Sequence, residues 1–259
     1  MKYSKIKFLT FFAIICSIGL APINDAYAAT TFVDAFDVSG QDTNPKNAVF
    51  NSDGTKMFVA GAIGDDINEY ACTTGFDVST CSFTDAFSVS AQETQTTGLT
   101  FNTDGTKMFV TGFSSDNVNE YACTTGFDVS TCSFTDAFDV SAQETQPNGI
   151  AFNSDGTKMF VAGSSGDAVN EYACTAFDVS TCSFTDAFDV SAQETGPSGV
   201  SFNTDGTKMF VIGPVGDDVN EYTLSIGFDL NVPVAETETT TPSSDCYDCK
   251  PPVLQASHI

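Results

Sequence analysis

The chain has 259 residues, with nine lysines, no arginine and 34 acidic residues, so its net charge is −25 at neutral pH. Such an acidic surface repels phosphate backbones and anionic lipid, which argues against nucleic acid or a membrane surface as a partner. The single histidine, His258, lies next to the last residue, so a serine–histidine–aspartate hydrolase arrangement has no histidine in the body of the chain.

The first 28 residues have the pattern of a secretory signal peptide. Three lysines precede an apolar run of 14 residues from Phe8 to Ala21, and Ala26–Ala28 gives a small-x-small cleavage pattern. The run is shorter than the ~20 residues that span a bilayer. We expect cleavage after Ala28, which leaves a secreted chain of 231 residues with six lysines and 33 acidic residues, a net charge of −27, and no membrane insertion. An uncleaved N-terminal anchor is the alternative.

The N-terminal segment at residues 31–39 matches residues 183–191 further along the chain. A different, ten-residue segment occurs four times along the chain with almost no change. Its copies start at Phe50, Phe101, Phe152 and Phe202, and their Asp-Gly pairs are spaced by 51, 51 and 50 residues. A period near ~50 residues is typical of propeller blades, solenoid rungs or modular arrays.

The third repeat shows the strands of one unit. Apolar or alternating segments at 149–153, 158–163, 169–174 and 182–190 predict four strands. Asp155-Gly156 between the first two predicts a tight hairpin turn, because glycine readily adopts the positive φ that such turns require. Four-stranded antiparallel units in series indicate a β-propeller.

The fourth repeat lacks the segment that should form its outer strand. We predict that residues 31–39 supply this strand and close the last blade, so that residues 29–232 form an all-β propeller of four four-stranded blades. A ring of eight blades shared by two chains is the alternative to a monomer.

Eight cysteines remain after cleavage of the leader, and we predict that they form disulfides, since zinc sites would need histidine support that the chain lacks. Six of them recur in pairs within the repeats, and two form a C-x-x-C pair near the C-terminus. The predicted pairs are Cys72 with Cys81, Cys123 with Cys132, Cys174 with Cys182, and Cys246 with Cys249. Such bridges indicate an oxidising, extracellular location.

Residues 233–244 are rich in threonine, serine, glutamate and proline, a composition that cannot bury a core. We predict a disordered or extended linker here, followed by a short tail at residues 245–259 that carries the C-x-x-C pair.

The repeats resemble those of known secreted propellers. The Phe-Asn-Ser/Thr-Asp-Gly-Thr-Lys-Met-Phe-Val segment, followed by Val-Asn-Glu-Tyr, is similar to YVTN/NHL-type repeats and to the lactonase-like propeller superfamily. With Phe-Asp-Val-Ser-Thr and the tail Asp245–Pro252, the chain also resembles secreted repeat proteins of marine archaea. The resemblance covers about 200 residues. It implies a fold and an extracellular location rather than a reaction.

The ligand face of a propeller is formed by loops around one mouth of the central channel. Two sets of acidic residues are predicted on those loops. The first set is Asp42, Glu93, Glu144 and Glu194, and the second set is Asp65, Asp116, Asp167 and Asp217. Rings of carboxylates suit Ca²⁺, which takes about six to eight oxygen ligands. Two interpretations stay open, Ca²⁺ ligands or hydrated turn residues, and the sequence indicates no other cofactor.

The repeats differ from one another mainly on the same loops. The changed positions are Asn44–Asn47, Thr96–Thr97, Pro147–Asn148 and Pro197–Ser198, together with Ala62–Ile63, Phe113–Ser114, Ser164–Ser165 and Pro214–Val215. Such variation fits either a tuned binding surface or the ordinary tolerance of loops to change.

These observations favour a secreted, non-enzymatic binding or cell-surface module whose partner is an extracellular protein or glycan. Enzyme activity is the weaker interpretation, because nothing singles out one acidic cluster among four near-equal copies. Two alternatives stay open: a Ca²⁺-dependent hydrolase, either a lactonase or a glycan-active enzyme, and a structural component of the cell envelope.

Overall fold

The computed structural model describes residues 32–231. The predicted signal peptide, the linker at 233–244 and the tail with Cys246 and Cys249 lie outside the described residues. All the blades belong to one compact unit that begins at Ala35. Within the described part of the chain, no helix has the length and apolar character needed to cross a membrane.

Within residues 32–231, fifteen strands form four antiparallel sheets that follow one another along the chain. The first blade contains β1 (Pro45–Phe50), β2 (Lys56–Gly61), β3 (Asp66–Cys72) and β4 (Cys81–Ser88). The second contains β5 (Thr96–Phe101), β6 (Lys107–Gly112), β7 (Asn117–Cys123) and β8 (Cys132–Asp139). The third contains β9 (Pro147–Phe152), β10 (Lys158–Gly163), β11 (Ala168–Thr175) and β12 (Asp178–Asp189). The fourth contains β13 (Gly199–Phe202), β14 (Lys208–Ile212) and β15 (Val219–Thr223). The predicted all-β propeller of four blades is confirmed.

The first hairpin of each blade is set by its Asp-Gly turn. In the third blade, Gly156 has a φ of 71°, the conformation expected of the glycine. The Asp155 carboxylate accepts hydrogen bonds from the Thr157 N–H at 3.0 Å and from the Thr157 hydroxyl at 2.6 Å. These short-range bonds fix the register in which Val161 of β10 lies opposite Ile150 of β9.

In the third blade both faces of the second strand are buried, because this blade packs against a neighbour on either side. Phe160 and Ala162 point to one side and Met159 and Val161 to the other, and all four are completely buried. They belong to two different hydrophobic clusters, one shared with the second blade and one with the fourth. The core is therefore divided among the contacts between successive blades, which we call seams.

The three predicted disulfides within the repeats are confirmed. Each joins the third strand of a blade to the start of its outer strand; the pairs are Cys72–Cys81, Cys123–Cys132 and Cys174–Cys182. Closing a loop of this length contributes about 2–3 kcal/mol by the chain-entropy estimate. Three bridges in the described residues are consistent with an extracellular protein.

A glutamate on the third strand joins each of the first three blades to the next. In the second blade, Glu120 Oε1 lies 2.7 Å from Lys107 Nζ of the same blade. Glu120 Oε2 accepts a hydrogen bond from the backbone N–H of Val179 in the third blade at 3.0 Å. Lys107 Nζ also donates to the Phe177 carbonyl of the third blade at 2.7 Å. The buried charge is therefore paired and hydrogen-bonded, as burial of a carboxylate requires.

The same arrangement occurs at the other two seams, again with lysine–glutamate distances of 2.7 Å. The residues are Lys56, Glu69 and Val129 at the first seam, and Lys158, Glu171 and Leu230 at the third. We call Glu69, Glu120 and Glu171 the seam glutamates.

The tyrosine that directly follows each seam glutamate contacts the outer-strand segment that precedes its blade. The Phe87 and Tyr121 rings meet edge-on with centroids 5.4 Å apart, and Phe138 and Tyr172 do so at 5.3 Å. Burial raises the pKa of the Tyr172 phenol, with smaller contributions from Glu144 and Asp139. The Tyr172 hydroxyl has no hydrogen-bond partner within the described residues.

The fourth blade differs from the prediction. Its sheet has three strands, and within residues 32–231 no outer strand is paired with β15. Ala35–Val38 lies instead against the first blade, where Phe36 meets Tyr70 edge-on at 5.4 Å and Val38 packs on the cluster around Met57. Phe36 and Val38 make the contacts that an outer strand makes with the following blade. They do not, however, belong to a strand of any of the four sheets.

We predict that Glu120→Gln lowers the free energy of unfolding by about 3 kcal/mol, because it leaves Lys107 and the Val179 N–H facing a neutral amide in a buried seam. Urea unfolding at a fixed protein concentration measures this loss. The matched control is Asp136→Asn, an exposed acid on the outer strand of the same blade, which should change stability little. Equal losses for the two variants would contradict the role given to the seam glutamates.

We predict that the protein loses stability above a pH of about 10, where the unfolded chain ionises its tyrosines but the buried phenols stay protonated. The raised folded pKa means that this stability is present below the unfolded pKa and is lost as pH rises. Tyr172→Phe should remove about 1.4 kcal/mol per pH unit of that slope. Tyr222→Phe, at the less buried tyrosine of the fourth blade, should remove less. Denaturant midpoints across this pH range would show identical slopes if burial of Tyr172 were unimportant.

Candidate functional site

The first set of predicted acidic residues lies beneath the loops at one end of the blades. Glu144 is 1% exposed. Its Oε1 accepts hydrogen bonds from the backbone N–H groups of Gln146 at 2.7 Å and Ser165 at 3.0 Å, and its Oε2 accepts from Gly166 at 3.0 Å. The carboxylate therefore ties the segment before β9 to the loop between β10 and β11. Backbone donors stabilise its negative charge without a counter-ion.

The other three members of this set are buried in the same way, each with at least three backbone N–H donors. Asp42 accepts from Asn44, Ile63 and Gly64, Glu93 accepts from Gln95, Ser114 and Ser115, and Glu194 accepts from Gly196, Val215 and Gly216. These four carboxylates hold the loops of all four blades in one conformation.

The second predicted set consists of turn residues. Asp65, Asp116, Asp167 and Asp217 have φ values of 54°, 53°, 50° and 56°. This left-handed conformation is one that aspartate tolerates better than most residues. In the first three blades, their backbone carbonyls accept hydrogen bonds at 2.9–3.0 Å from the N–H groups that follow the outer strands, those of Val89, Val140 and Val190.

Asp65 is the member of this set whose side chain responds to its acidic neighbours. Burial raises the pKa of the Asp65 carboxyl, and the nearby charges of Asp66, Glu93 and Asp42 raise it further. Negative charge therefore accumulates where the loops of the first and second blades meet.

Ca²⁺ binding by these eight residues stays a prediction. The first set uses both carboxylate oxygens to accept backbone N–H groups, and a cation at those oxygens would have to displace these donors. Across residues 32–231, no group of three or more histidine, cysteine, aspartate or glutamate side chains is placed to hold a metal ion.

A pocket of about 610 Å³ opens at the mouth of the channel between the blades. All four blades contribute to it, with Lys46, Thr97, Asn148 and Ser198 at equivalent positions. The remaining lining residues are Asn47, Phe113, Ser164, Gly196, Gly199, Ile212, Gly213 and Pro214. We call this site the mouth pocket.

The mouth pocket brings together eight of the positions at which the repeats differ: Lys46, Asn47, Thr97, Phe113, Asn148, Ser164, Ser198 and Pro214. Its wall combines two amides, three hydroxyls and one ammonium group with the partly exposed ring of Phe113. Lys46 is exposed, and among the described lysines it is the one without a salt bridge to a described residue. The site therefore offers several hydrogen-bond donors and one aromatic face.

The hydroxyl and amide groups at the equivalent positions also join neighbouring blades. Thr97 Oγ1 donates to the Pro147 carbonyl at 2.9 Å, and Asn148 Nδ2 donates to the Pro197 carbonyl at 3.2 Å. Sequence reasoning recognised that these positions vary, but it did not find that they converge on one pocket. The available signal was that these positions follow one another at intervals of about 50 residues, the length of one repeat.

The sequence matches no protein-family model and no curated protein. Similar solved structures include a putative 6-phosphogluconolactonase from Bacteroides uniformis, at 15% identity and a TM-score of 0.51, covering 69% of this chain and 50% of that chain. A protein from Lactobacillus plantarum is similar at 16% identity and a TM-score of 0.53, with coverage of 69% and 50%. Hydrazine synthase from Kuenenia stuttgartiensis is similar at 19% identity and a TM-score of 0.50, with coverage of 70% and 46%.

At these identities the likeness shows the fold alone, which is a β-propeller. The chain spans about half the length of these structures.

We predict that Glu144→Gln lowers the melting temperature by about 4–8 °C in chelator, because an amide N–H₂ group would face backbone donors in a buried site. Asp85→Asn, at an exposed acid on β4, is the matched control and should leave the melting temperature unchanged.

Repeating both melts with Ca²⁺ at constant ionic strength tests the Ca²⁺ prediction. A site held at 100 times its dissociation constant adds about 2.7 kcal/mol. A rise seen with the unmodified chain and absent from Glu144→Gln would establish a metal role for this carboxylate. The same melting temperature with and without Ca²⁺ would leave it as a loop-holding group only.

Proposed function

We propose that this chain is a secreted, non-enzymatic β-propeller that binds an extracellular ligand at the mouth pocket. The observation that carries the proposal is the convergence on that pocket of the positions at which four otherwise near-identical repeats differ. The blades and the buried carboxylates are repeated faithfully, whereas the pocket wall is different in each blade. Variation concentrated on a concave polar surface of a rigid scaffold is the pattern of a recognition site.

The chemistry of the pocket favours a neutral glycan as the ligand. Amide and hydroxyl groups donate to and accept from sugar hydroxyls, and the exposed face of Phe113 gives a sugar ring an apolar surface on which to pack. The acidic surface of the chain opposes anionic ligands. Lys46 adds one hydrogen-bond donor with a positive charge at the pocket, but the surface around it stays acidic.

The described lining residues include no acid, histidine or cysteine, so the pocket wall itself supplies contacts rather than a general base. This supports binding over the alternative of a Ca²⁺-dependent lactonase or glycan-active hydrolase. The fold is compatible with either function, since one fold supports many activities. The predicted leader, linker and C-x-x-C tail support an extracellular location for whichever function the propeller performs.

We predict that screening the oxidised chain on an array of neutral glycans finds a ligand, and that Lys46→Ala and Phe113→Ser each weaken its binding by about tenfold, the loss of about 1.4 kcal/mol. Isothermal titration measures the two affinities. Phe113→Ser introduces the residue that the third repeat has at the equivalent position, Ser164, so it is compatible with the loop.

The control is Ser154→Thr at an exposed position beyond the opposite end of the inner strand, where the second and fourth repeats already have threonine. Equal loss in all three variants would show that the mouth pocket is not the site. Turnover of lactones or glycans by the chain would favour the hydrolase, capture of a protein without any glycan would give a protein ligand, and assembly into insoluble layers would favour an envelope component.

A further inference from the structure

One face of the fourth blade is exposed, although the equivalent faces of the first three blades are buried in seams. In the third blade, Phe160 and Val169 are completely buried against the fourth blade. The equivalent residues of the fourth blade include Val219, which is 68% exposed, and Phe210, which is partly exposed. An apolar face of this kind is normally covered.

The first blade exposes the other side of a seam, the surface with which a blade contacts the blade before it. Phe76 is 63% exposed. Its equivalent in the second blade, Phe127, packs on Phe58 of the preceding blade, with ring centroids 6.2 Å apart. The first blade therefore has the surface that receives a preceding blade, and within the described residues Phe36 and Val38 cover part of it but no complete blade packs there.

The polar groups of a seam are divided between the same two surfaces. Glu221, the fourth-blade equivalent of the seam glutamates, has a half-exposed side chain whose described ion-pair partner is Lys208 of its own blade. The backbone N–H that would meet it is that of Val78, the first-blade equivalent of Val129 and Val179. The fourth blade therefore has the carboxylate of a seam, and the first blade has the backbone N–H that such a carboxylate accepts from.

The strand pairing is divided in the same way. In the third blade, Val169 of β11 lies opposite Phe188 of the outer strand, and the Val190 N–H donates to the Asp167 carbonyl. The fourth blade offers Val219 and the Asp217 carbonyl along an unpaired β15, while Phe36 and Val38 lie beside the first blade and belong to none of its strands. An unpaired edge strand favours addition of another strand.

A groove of about 730 Å³ runs along β15 beside Tyr222. In the second blade, the corresponding tyrosine, Tyr121, is covered by Phe134 of the outer strand, with ring centroids 5.8 Å apart. The residue that matches this phenylalanine ahead of Ala35–Val38 is Phe32. The groove thus has the dimensions and lining of a place for a missing outer strand.

The curvature of the blades leaves room for a second set. The four blades superpose together on about half of larger propellers, at TM-scores of 0.51 and 0.53.

We propose that a second copy of this chain fills both open surfaces. The segment from Phe36 to Val38 of each copy adds to β15 of the other as its outer strand, with Phe36 opposite Val219 and the Val38 N–H on the Asp217 carbonyl. Glu221 of each copy meets the Val78 N–H of the other, so the two identical seams close an eight-bladed ring around a two-fold axis.

Sedimentation equilibrium of the full-length oxidised chain tests this assembly. We expect twice the mass of one chain, and we expect Val219→Glu to raise the dissociation constant by at least about 100-fold, because it places an unpaired charge in each of the two seams. The matched control is Val215→Glu, at a 62% exposed valine of the same blade that lies outside the proposed seams. It should leave the dimer intact. Val219 is exposed in the single chain, so its replacement should not prevent folding.

A monomer at all concentrations would overturn the proposal, and a lower melting temperature for monomeric Val219→Glu would then indicate that the chain closes on its own N-terminal segment. A dimer that is equally stable with Val219→Glu would overturn it as well, since the copies would then meet through another surface. A dimer lost with Val219→Glu and kept with Val215→Glu is the result that supports it.

Discussion

The blade array depends on one buried carboxylate per seam. Hydrophobic contact between two blade faces is strong but has no preferred direction, so packing alone leaves the angle between blades loosely determined. Glu120 removes that freedom, because its two oxygens must reach Lys107 in its own blade and the Val179 N–H in the next. Both conditions are met together in one relative orientation. The seam glutamate therefore sets the angle between successive blades, and this angle is what gives a propeller its shape.

A seam built from the repeat itself must also occur where the array ends. The chain has four blades and, in the described residues, three complete seams, so the first and fourth blades each keep half of the same interface. The fourth-blade half is exposed, with Val219 and Glu221 both in contact with solvent. Repeat proteins usually protect such ends with altered, polar terminal units. Here the repeat continues almost unchanged to its last strand, which leaves an end suited to another copy of itself.

The parts of the structure that sequence analysis predicted are those whose partners are close along the chain. Asp155-Gly156 forms its turn with residues a few positions away, and Cys174 bonds Cys182 at a separation of 8 residues. The seam glutamate was missed because Glu120 meets the Val179 N–H across 59 residues. Glu144 has the composition of a surface acid, but its donors come from a loop 21 and 22 residues away, so its burial could be seen only in the folded chain. The outer strand of the fourth blade was predicted from a real sequence match, but a match does not say which blade edge the segment will meet.

In the mouth pocket, the same positions both join neighbouring blades and vary between the repeats. Thr97 and Asn148 occupy equivalent places in successive repeats, and each donates one hydrogen bond to a carbonyl of the following blade. A hydroxyl and an amide satisfy that carbonyl equally well, so the contact between blades does not decide which of them is present. What differs is the group that remains for the channel: threonine offers a methyl group, whereas asparagine offers a carbonyl oxygen. The position can therefore vary in the chemistry it presents to a ligand while its contribution to the propeller stays the same.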